Sequence, residues 1–461
     1  MSPSTGLTTT TTRRHGHTVH EHLLTAPLDH RAPDPRRIDV YAREYVADGG
    51  ADRPALLFLQ GGPGCPSPRP TAPTGTPGGW LGEALRHWRV ILLDQRGTGR
   101  STPVDAADPT SLGATPAEQA EYLTHLRADD IVRDAELLRH ALIADGHLPD
   151  APWALLGQSF GGFCITTYLS VAPQGVAEAY LTGGLPGFAD DPHTRVDDVY
   201  RATYARTAVR NRRFHRRVPW AAGRVREVCA HLDDHDERLP SGERLSSRRF
   251  RTVGMSLGRT GGVDTLAYLL EDPFRTVRGE RRLGTPFLAR TAAMLDLRET
   301  PLYAVLHESI YGQDTATAWS ADRLRATAGD DDGIAAGFAE DLAGTGDDPV
   351  FLTGEHFFPW HLEEDPALRP WRDVAEILAR KDDWTPLYDA AALRAVDVPT
   401  AAAVYLDDMF VPHDLSTATA ELIGADGTPL RPFVTNLWEH NGIGVDGAGI
   451  LRRLRQLAHD H

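Results

Sequence analysis

The sequence predicts an α/β fold in which helices flank a mostly parallel central sheet and a large, mainly helical cap is inserted late in the chain. Three observations predict it. Short unbroken apolar runs at Ala55–Leu59, Val90–Leu93, Trp153–Leu156 and Ala177–Leu181 suit strands buried on both faces. Helix-like stretches alternate with those runs, which is the rhythm of an α/β sheet. That rhythm stops after Pro186 and returns only at Val398–Leu406.

The elements follow in order. The first 15 residues are polar and repetitive in Thr, and read as a disordered tail over 1–15. Strand-like stretches occupy Val19–Leu24 and Ile38–Val46, with Pro and Asp punctuating the gap. After the runs at Ala55 and Val90, Pro116 opens a long helix with Ile131, Ala135, Leu138 and Leu142 on one face. A second helix follows Trp153–Leu156 and extends to about Ser170. These elements assign 16–187 to the first part of the core. From 188 to 385 the chain is rich in Arg, Asp, Tyr and Trp at helical spacing and reads as the cap. The second part of the core, 386–461, holds strands at Val398–Leu406 and Pro432–Leu437 and a closing amphipathic helix over 447–461.

Composition narrows the function. The 461 residues are 41% hydrophobic, ample for a large core. The formal net charge of −16 works against binding phosphate backbones, so no nucleic-acid partner is expected. Three cysteines, Cys65, Cys164 and Cys229, form neither a disulfide framework nor a metal-ligand spacing. The N-terminus lacks the apolar segment of a secretory signal, and no run approaches about 18 apolar residues. The expectation is a cytoplasmic protein with no membrane association, no metal and no cofactor.

Chemistry concentrates at the ends of the apolar runs. Gly157-Gln158-Ser159-Phe160-Gly161 is a G-x-S-x-G pentapeptide between a strand and a helix. Such a strand–turn–helix elbow holds a nucleophilic serine in a strained conformation, with glycines allowing close packing around it. It marks the α/β-hydrolase fold and makes Ser159 the candidate nucleophile. The serine needs a base, and the base needs an orienting carboxylate, in the chain order Ser, acid, His. His440, in the loop after Pro432–Leu437, fits the base. Asp407 and Asp408 both end the strand at Val398–Leu406, and because side chains alternate only one of them points inward; Asp408 is favoured, with Asp407 a turn or surface residue. Oxyanion donors are expected from the N–H of Phe160 and from the loop Gly61-Gly62-Pro63-Gly64, with Gly62 the candidate. The run 94–101, Asp-Gln-Arg-Gly-Thr-Gly-Arg-Ser, reads as a scaffold in which Asp94 and Arg96 tie neighbouring loops together.

QGGPG at 60–64, DQRGTGRS at 94–101 and GQSFGG at 157–162, in that order, resemble the proline iminopeptidase (prolyl aminopeptidase) family of α/β-hydrolases, in its larger, extended-cap subgroup. Gln60 stands where the family usually has His. The stretch 197–214 is similar to the start of the family's cap, YLDDMFVP at 405–412 to its segment bearing the catalytic Asp, here Asp408, and EHNGIG at 439–444 to its His loop. The resemblance implies a serine aminopeptidase releasing N-terminal proline, or another small residue, from small peptides with a free N-terminus. It also implies two cap glutamates that hold the substrate's ammonium group. Glu308 in HESIYG and Glu355 in TGEHFFPW match them. The neighbouring Tyr311, Phe357, Phe358 and Trp360 either line an apolar slot for a pyrrolidine ring or form cap core. A competing expectation keeps the triad and drops the amine site, giving an esterase or amidase for a small molecule. A non-catalytic binding protein on the same scaffold is disfavoured because no triad member is missing.

Overall fold

The computed structural model describes residues 6–32, 35–72, 76–105, 107–187, 196–346 and 348–460. Eleven strands lie in these residues: β1 Leu7–Arg14, β2 His17–Pro27, β3 Arg37–Val46, β4 Ala55–Leu59, β5 Arg89–Leu93, β6 Trp153–Gln158, β7 Val176–Thr182, β8 Phe274–Val277, β9 Glu280–Leu283, β10 Thr400–Tyr405 and β11 Arg431–Thr435. Nine form one sheet in the order β1-β2-β3-β5-β4-β6-β7-β10-β11. Pairings from β1 to β5 are antiparallel, and those from β5 through β4 to β11 are parallel.

The unbroken apolar runs arise because both sheet faces are covered. Leu57, Leu59, Ile91, Leu93 and Leu155 point to one face, in a core shared with α3 (Ala128–Ala144) and α4 (Phe160–Val171). Leu56, Phe58, Val90, Leu92, Ala154 and Leu156 point to the other. There they meet Trp80 and Leu81 of α1 (Trp80–Ala84) and Ile450, Leu451 and Leu454 of the C-terminal helix Gly442–His459. Alternation within each strand thus supplies two cores from one sheet.

Two expectations need correction. Residues 7–14 are not a disordered tail but the edge strand β1, paired with β2 from Leu7↔Leu24 to Arg14↔His17. His15 and Gly16 both have positive φ, 52° and 81°, as a two-residue turn of the mirror-image type requires, and threonine is β-prone. Residues 1–5 of that tail lie outside the described residues. The long helix expected after Pro116 is two, α2 (Pro116–Thr124) and α3. Thr115 and Glu118 cap α2 reciprocally, and the chain breaks at 125–127.

Arg96 explains that break. Its guanidinium is fully buried and bonds the Asp134 carboxylate twice, at 2.7 and 2.6 Å. It also donates to the carbonyls of Leu28 and His125 at 2.7 and 2.8 Å. A continuous helix would keep the His125 carbonyl for itself. Asp94, also buried, accepts from the backbone N–H groups of Ser67 (3.1 Å) and Arg100 (2.9 Å) and from the Arg69 guanidinium. The 94–101 loop is therefore a clamp on four neighbouring segments.

The stretch between β7 and β10 is mainly helical, from α5 (Val196–Arg217) to the helix Ala390–Arg394. It also holds the hairpin β8–β9, an exception within a mainly helical cap. Residues 188–195, where the cap was expected to begin, lie outside the described residues. Among the described residues no helix is long and apolar enough to cross a membrane.

Arg96→Ala would leave buried Asp134 with His30 alone beside it. The expected loss is about 3–5 kcal/mol of folding stability, read by urea denaturation.

Candidate active site

β5 lies on one side of β4 and β6 on the other, so the chain reverses direction across the sheet at β4. Crevices at such switch points, beyond the carboxyl ends of the strands, are where open α/β sheets bind ligands. Ser159 stands there, between β6 and α4, with φ 53° and ψ −123°. Backbone strain of this kind in a non-glycine residue costs about 1–3 kcal/mol and persists only where the surroundings impose it. The surroundings are tight. A Cβ on Gly161 would lie 1.9 Å from the Leu59 carbonyl oxygen, and one on Gly157 would lie 2.5 Å from the Gly161 carbonyl oxygen. The Ser159 N–H donates to Thr182 O at 3.0 Å.

The Oγ of Ser159 lies 2.9 Å from Nε2 of His440, and Nδ1 of that ring lies 2.7 Å from Oδ2 of Asp408. A carboxylate only accepts, so Nδ1 carries the proton and the Nε2 lone pair faces the serine hydroxyl. Asp408 is 1% exposed, and its other oxygen accepts from the backbone N–H groups of Phe410 (2.9 Å) and Val411 (3.1 Å). Asp407 turns outward to Arg213 at 3.0 Å. Phe410 packs edge-on against the imidazole. The His440 N–H donates to Gly258 O, and Glu439 pairs with Arg210 at 2.6 Å, fixing the loop to the helical region. Burial alone would lower the His440 pKa; the charge and hydrogen bond of Asp408 outweigh it, and the net shift is upward.

The glycine loop after β4 closes the other side. A Cβ on Gly61 would meet Gln158 Oε1 at 2.4 Å and Ser159 Cβ at 3.0 Å, so this backbone rests on the nucleophile. Gly62 has φ 136°, a region open to glycine. Phe160 opens α4, where an N–H has no carbonyl of its own helix to bond. Gln60 lines the cavity and its carbonyl accepts from Gln95 Nε2 at 2.9 Å.

Ser159, His440, Gly61 and Gly62 open into a cavity of about 470 Å³ whose far wall comes from the helical region. Glu355 and Phe357 line it. Glu355 accepts from the hydroxyl of Tyr303 and lies 3.6 Å from Nε2 of His307, whose pKa burial lowers. The other cap residues singled out in the sequence are placed differently. Glu308 is not among the residues that line the cavity; its two oxygens accept from the N–H groups of Ser320 and Ala321, both at 3.0 Å. Burial raises its pKa to about 7. Tyr311 packs among the rings of Phe163, Tyr200 and His307. Phe358 does not face the cavity either; it stacks on Trp360 and His361 inside the helical region.

The sequence reading passed over Tyr303, His307 and Arg259. Tyr303, His307 and Tyr311 recur at i, i+4 and i+8, and consecutive rings lie 5.4 and 6.2 Å apart. That spacing was a readable sign of one aromatic wall. Arg259, exposed beside the cavity, follows the glycine whose carbonyl holds His440, and no sequence pattern marks it. Cys65 lines the cavity too, but burial and then the charge of Glu355 raise its pKa to about 11, so it stays a thiol at neutral pH.

A strained serine elbow backed by an imidazole and a buried carboxylate defines a class, and comparison with known proteins agrees. Residues 54–443 match the model of the alpha/beta hydrolase fold family, and the chain belongs to that family. It is 44% identical over 442 residues to a proline iminopeptidase of Aeromonas sobria, covering 95% of this chain and 96% of the relative. It is 32% identical over 456 residues to the proline iminopeptidase aneH of Aspergillus aculeatus, covering 94% and 92%. Within the α/β-hydrolases, the chain belongs to the proline iminopeptidases.

The upward shift at His440 sets the expected pH dependence. A general base must be neutral, so the acid limb of kcat/KM is lost as pH falls through the imidazole pKa, with a midpoint above the ordinary value of about 6.5. Asp408→Asn should move that midpoint down and reduce kcat by about 10⁴-fold. A kcat/KM profile of both proteins checks this.

Proposed function

We propose that this protein is a serine aminopeptidase that releases N-terminal proline, or another small residue, from peptides through an acyl-enzyme. The observation that carries this reading is Glu355, a carboxylate lining the same cavity as Ser159 and His440. A free α-amine has a pKa of about 7.7–8.0 and is largely cationic at neutral pH. A carboxylate in a partly dry cavity binds it through charge-assisted hydrogen bonds. Tyr303 positions that carboxylate, and Phe357 supplies an apolar surface beside it for the first side chain.

In the mechanism, Glu355 holds the substrate ammonium. His440 takes the proton of Ser159 as the hydroxyl oxygen attacks the first peptide carbonyl, and Asp408 stabilises the imidazolium. The N–H groups of Gly62 and Phe160 are assigned to the oxyanion, where each donor contributes about 10²–10³ in turnover. His440 then protonates the leaving amine, and water attacks the acyl-enzyme by the same route. Glu308 supports the wall by binding the start of the helix Ser320–Arg325, and Tyr311 backs it. A second reading rests on Met255, Met294, Leu295 and Leu297, which give the cavity a soft apolar flank. That flank suits an acyl or alkyl group, and the same triad would then hydrolyse a small ester or amide.

Ser159→Ala should fold normally and lose about 10⁶ in kcat toward a proline anilide; full activity would remove the nucleophile assignment. Glu355→Gln separates the two readings. Losing a hydrogen bond to a charged group, about 1.5–3 kcal/mol, lowers kcat/KM for proline anilide roughly 10–100-fold. Simple acyl esters and an N-blocked proline anilide should change little. Equal losses on all of them would argue for the ester reading.

A further inference from the structure

At the opposite end of the sheet from Ser159, three imidazoles converge on one buried carboxylate that the hydrolytic chemistry does not use. His20 and His22 alternate with outward residues along β2 and so share a face. Glu44 of β3 is the direct cross-strand partner of His20. His147, in the connection between α3 and β6, reaches the same point. Ring nitrogens of His20 and His147 and a carboxylate oxygen of Glu44 all lie within 4.8 Å of one another. Oε2 of Glu44 is 2.6 Å from Nε2 of His147 and 3.2 Å from Nε2 of His22. Both His22 and Glu44 have fully buried side chains.

We propose that His20, His147 and Glu44, with His22 holding the Glu44 carboxylate from the side, form a binding site for a divalent transition metal of the zinc type, bridging the antiparallel strands β2 and β3 to the α3–β6 connection. Three arguments support it. A donor set of two imidazoles and one carboxylate, with a fourth position left for water, is that of borderline metals in tetrahedral sites. Ligand bonds of about 2.0–2.1 Å place tetrahedral donor atoms about 3.3 Å apart, and the donor atoms of His20, His147 and Glu44 lie within 4.8 Å of one another.

The second argument is an orienting layer that is already built. Thr11 Oγ1 lies 2.9 Å from Nδ1 of His20, and Thr9 Oγ1 lies 2.9 Å from Nδ1 of His22. Each threonine is the β1 cross-strand partner of the histidine it bonds. Partners on the far ring nitrogen fix tautomer and ring angle in metal sites. The threonine run of β1 supplies them.

The third argument is a mismatch at His147. Its Nε2 lies 2.6 Å from a carboxylate oxygen, which only accepts, and 2.7 Å from Nη2 of Arg89, which only donates. A proton on Nε2 opposes Arg89, and a lone pair opposes Glu44. A metal ion on the Glu44 side satisfies the lone pairs of both Nε2 and Oε2. Arg89 remains held by Glu44 Oε1 at 2.5 Å and by the carbonyls of Ala51 and His147. Its positive charge makes the site weaker than a carboxylate-rich one, and it orients the carboxylate.

The test is titration of the chelator-treated full chain with Co²⁺ and Zn²⁺ near neutral pH. Wild type should bind one equivalent of Co²⁺, with the visible spectrum of a four-coordinate N,O site and no thiolate charge-transfer band. Zn²⁺ should displace it and raise Tm. His147→Ala and His20→Ala should each weaken binding at least tenfold, and Thr11→Val should weaken it roughly 10–100-fold as an orienting partner. Cys65→Ser should bind as wild type does. Proline-anilide hydrolysis by the histidine variants should stay near wild type, since their site is remote from Ser159. No stoichiometric binding, binding undiminished in His20→Ala/His147→Ala, or binding abolished by Cys65→Ser would each overturn the proposal. If the histidine variants fail to fold, the wild-type stoichiometry and spectrum still decide it.

Discussion

The approach of α4 to the end of β4 is the constraint on which the rest depends. Gly161 lies so close to the Leu59 carbonyl that even a methyl group would overlap it. Gly157 makes the same demand on the strand side of the elbow. Between them Ser159 has no relaxed backbone option, and its φ of 53° follows from packing. The same close approach brings the Gly61–Gly62 backbone onto the serine. Ser159 and the candidate oxyanion donors are thus positioned by missing side chains, which leaves no backbone conformational freedom to lose when a substrate arrives.

Buried charge does the remaining positioning, and Arg96, Asp408 and Glu308 are each matched nearby. Arg96 is neutralised by Asp134 and spends its other donors on backbone carbonyls that would otherwise be unpaired. Asp408 accepts two backbone N–H groups besides His440, so its carboxylate cannot rotate away from the ring. Glu308 is satisfied by the start of a helix. Glu355 differs. It lines a cavity with only a tyrosine hydroxyl and an imidazole held near neutrality beside it, and it is the carboxylate here with capacity left for a cation.

Much of this was legible in the sequence, for reasons that can be named. Buried parallel strands show as apolar runs because water touches neither face. The elbow shows because glycine is demanded on both sides of the serine, and Asp408 and His440 show because they follow strands in a fixed chain order. Features set by distant partners did not show. The β1 threonines read as disordered because their order comes from pairing with β2. The break between α2 and α3 was hidden because it serves Arg96. In the cap, Glu308 and Glu355 look alike as acids flanked by aromatics, and Phe357 and Phe358 are neighbours. Which of each pair faces the cavity depends on how irregular segments turn, and periodicity carries no information about that.

The placement of Glu355 has a further consequence for the base. Its negative charge adds to that of Asp408 in raising the His440 pKa. In the empty site the imidazole is therefore easier to protonate than Asp408 alone would make it. A substrate ammonium docked on Glu355 cancels that second contribution while leaving Asp408 in place. The imidazole then loses proton affinity, so more of it is in the neutral form that can accept the serine proton. An N-blocked substrate brings no such charge. One carboxylate thus acts twice in the proposed reaction, by holding the amine and by letting the amine's arrival favour the reactive state of the base, and both effects fail together when the charge at residue 355 is removed.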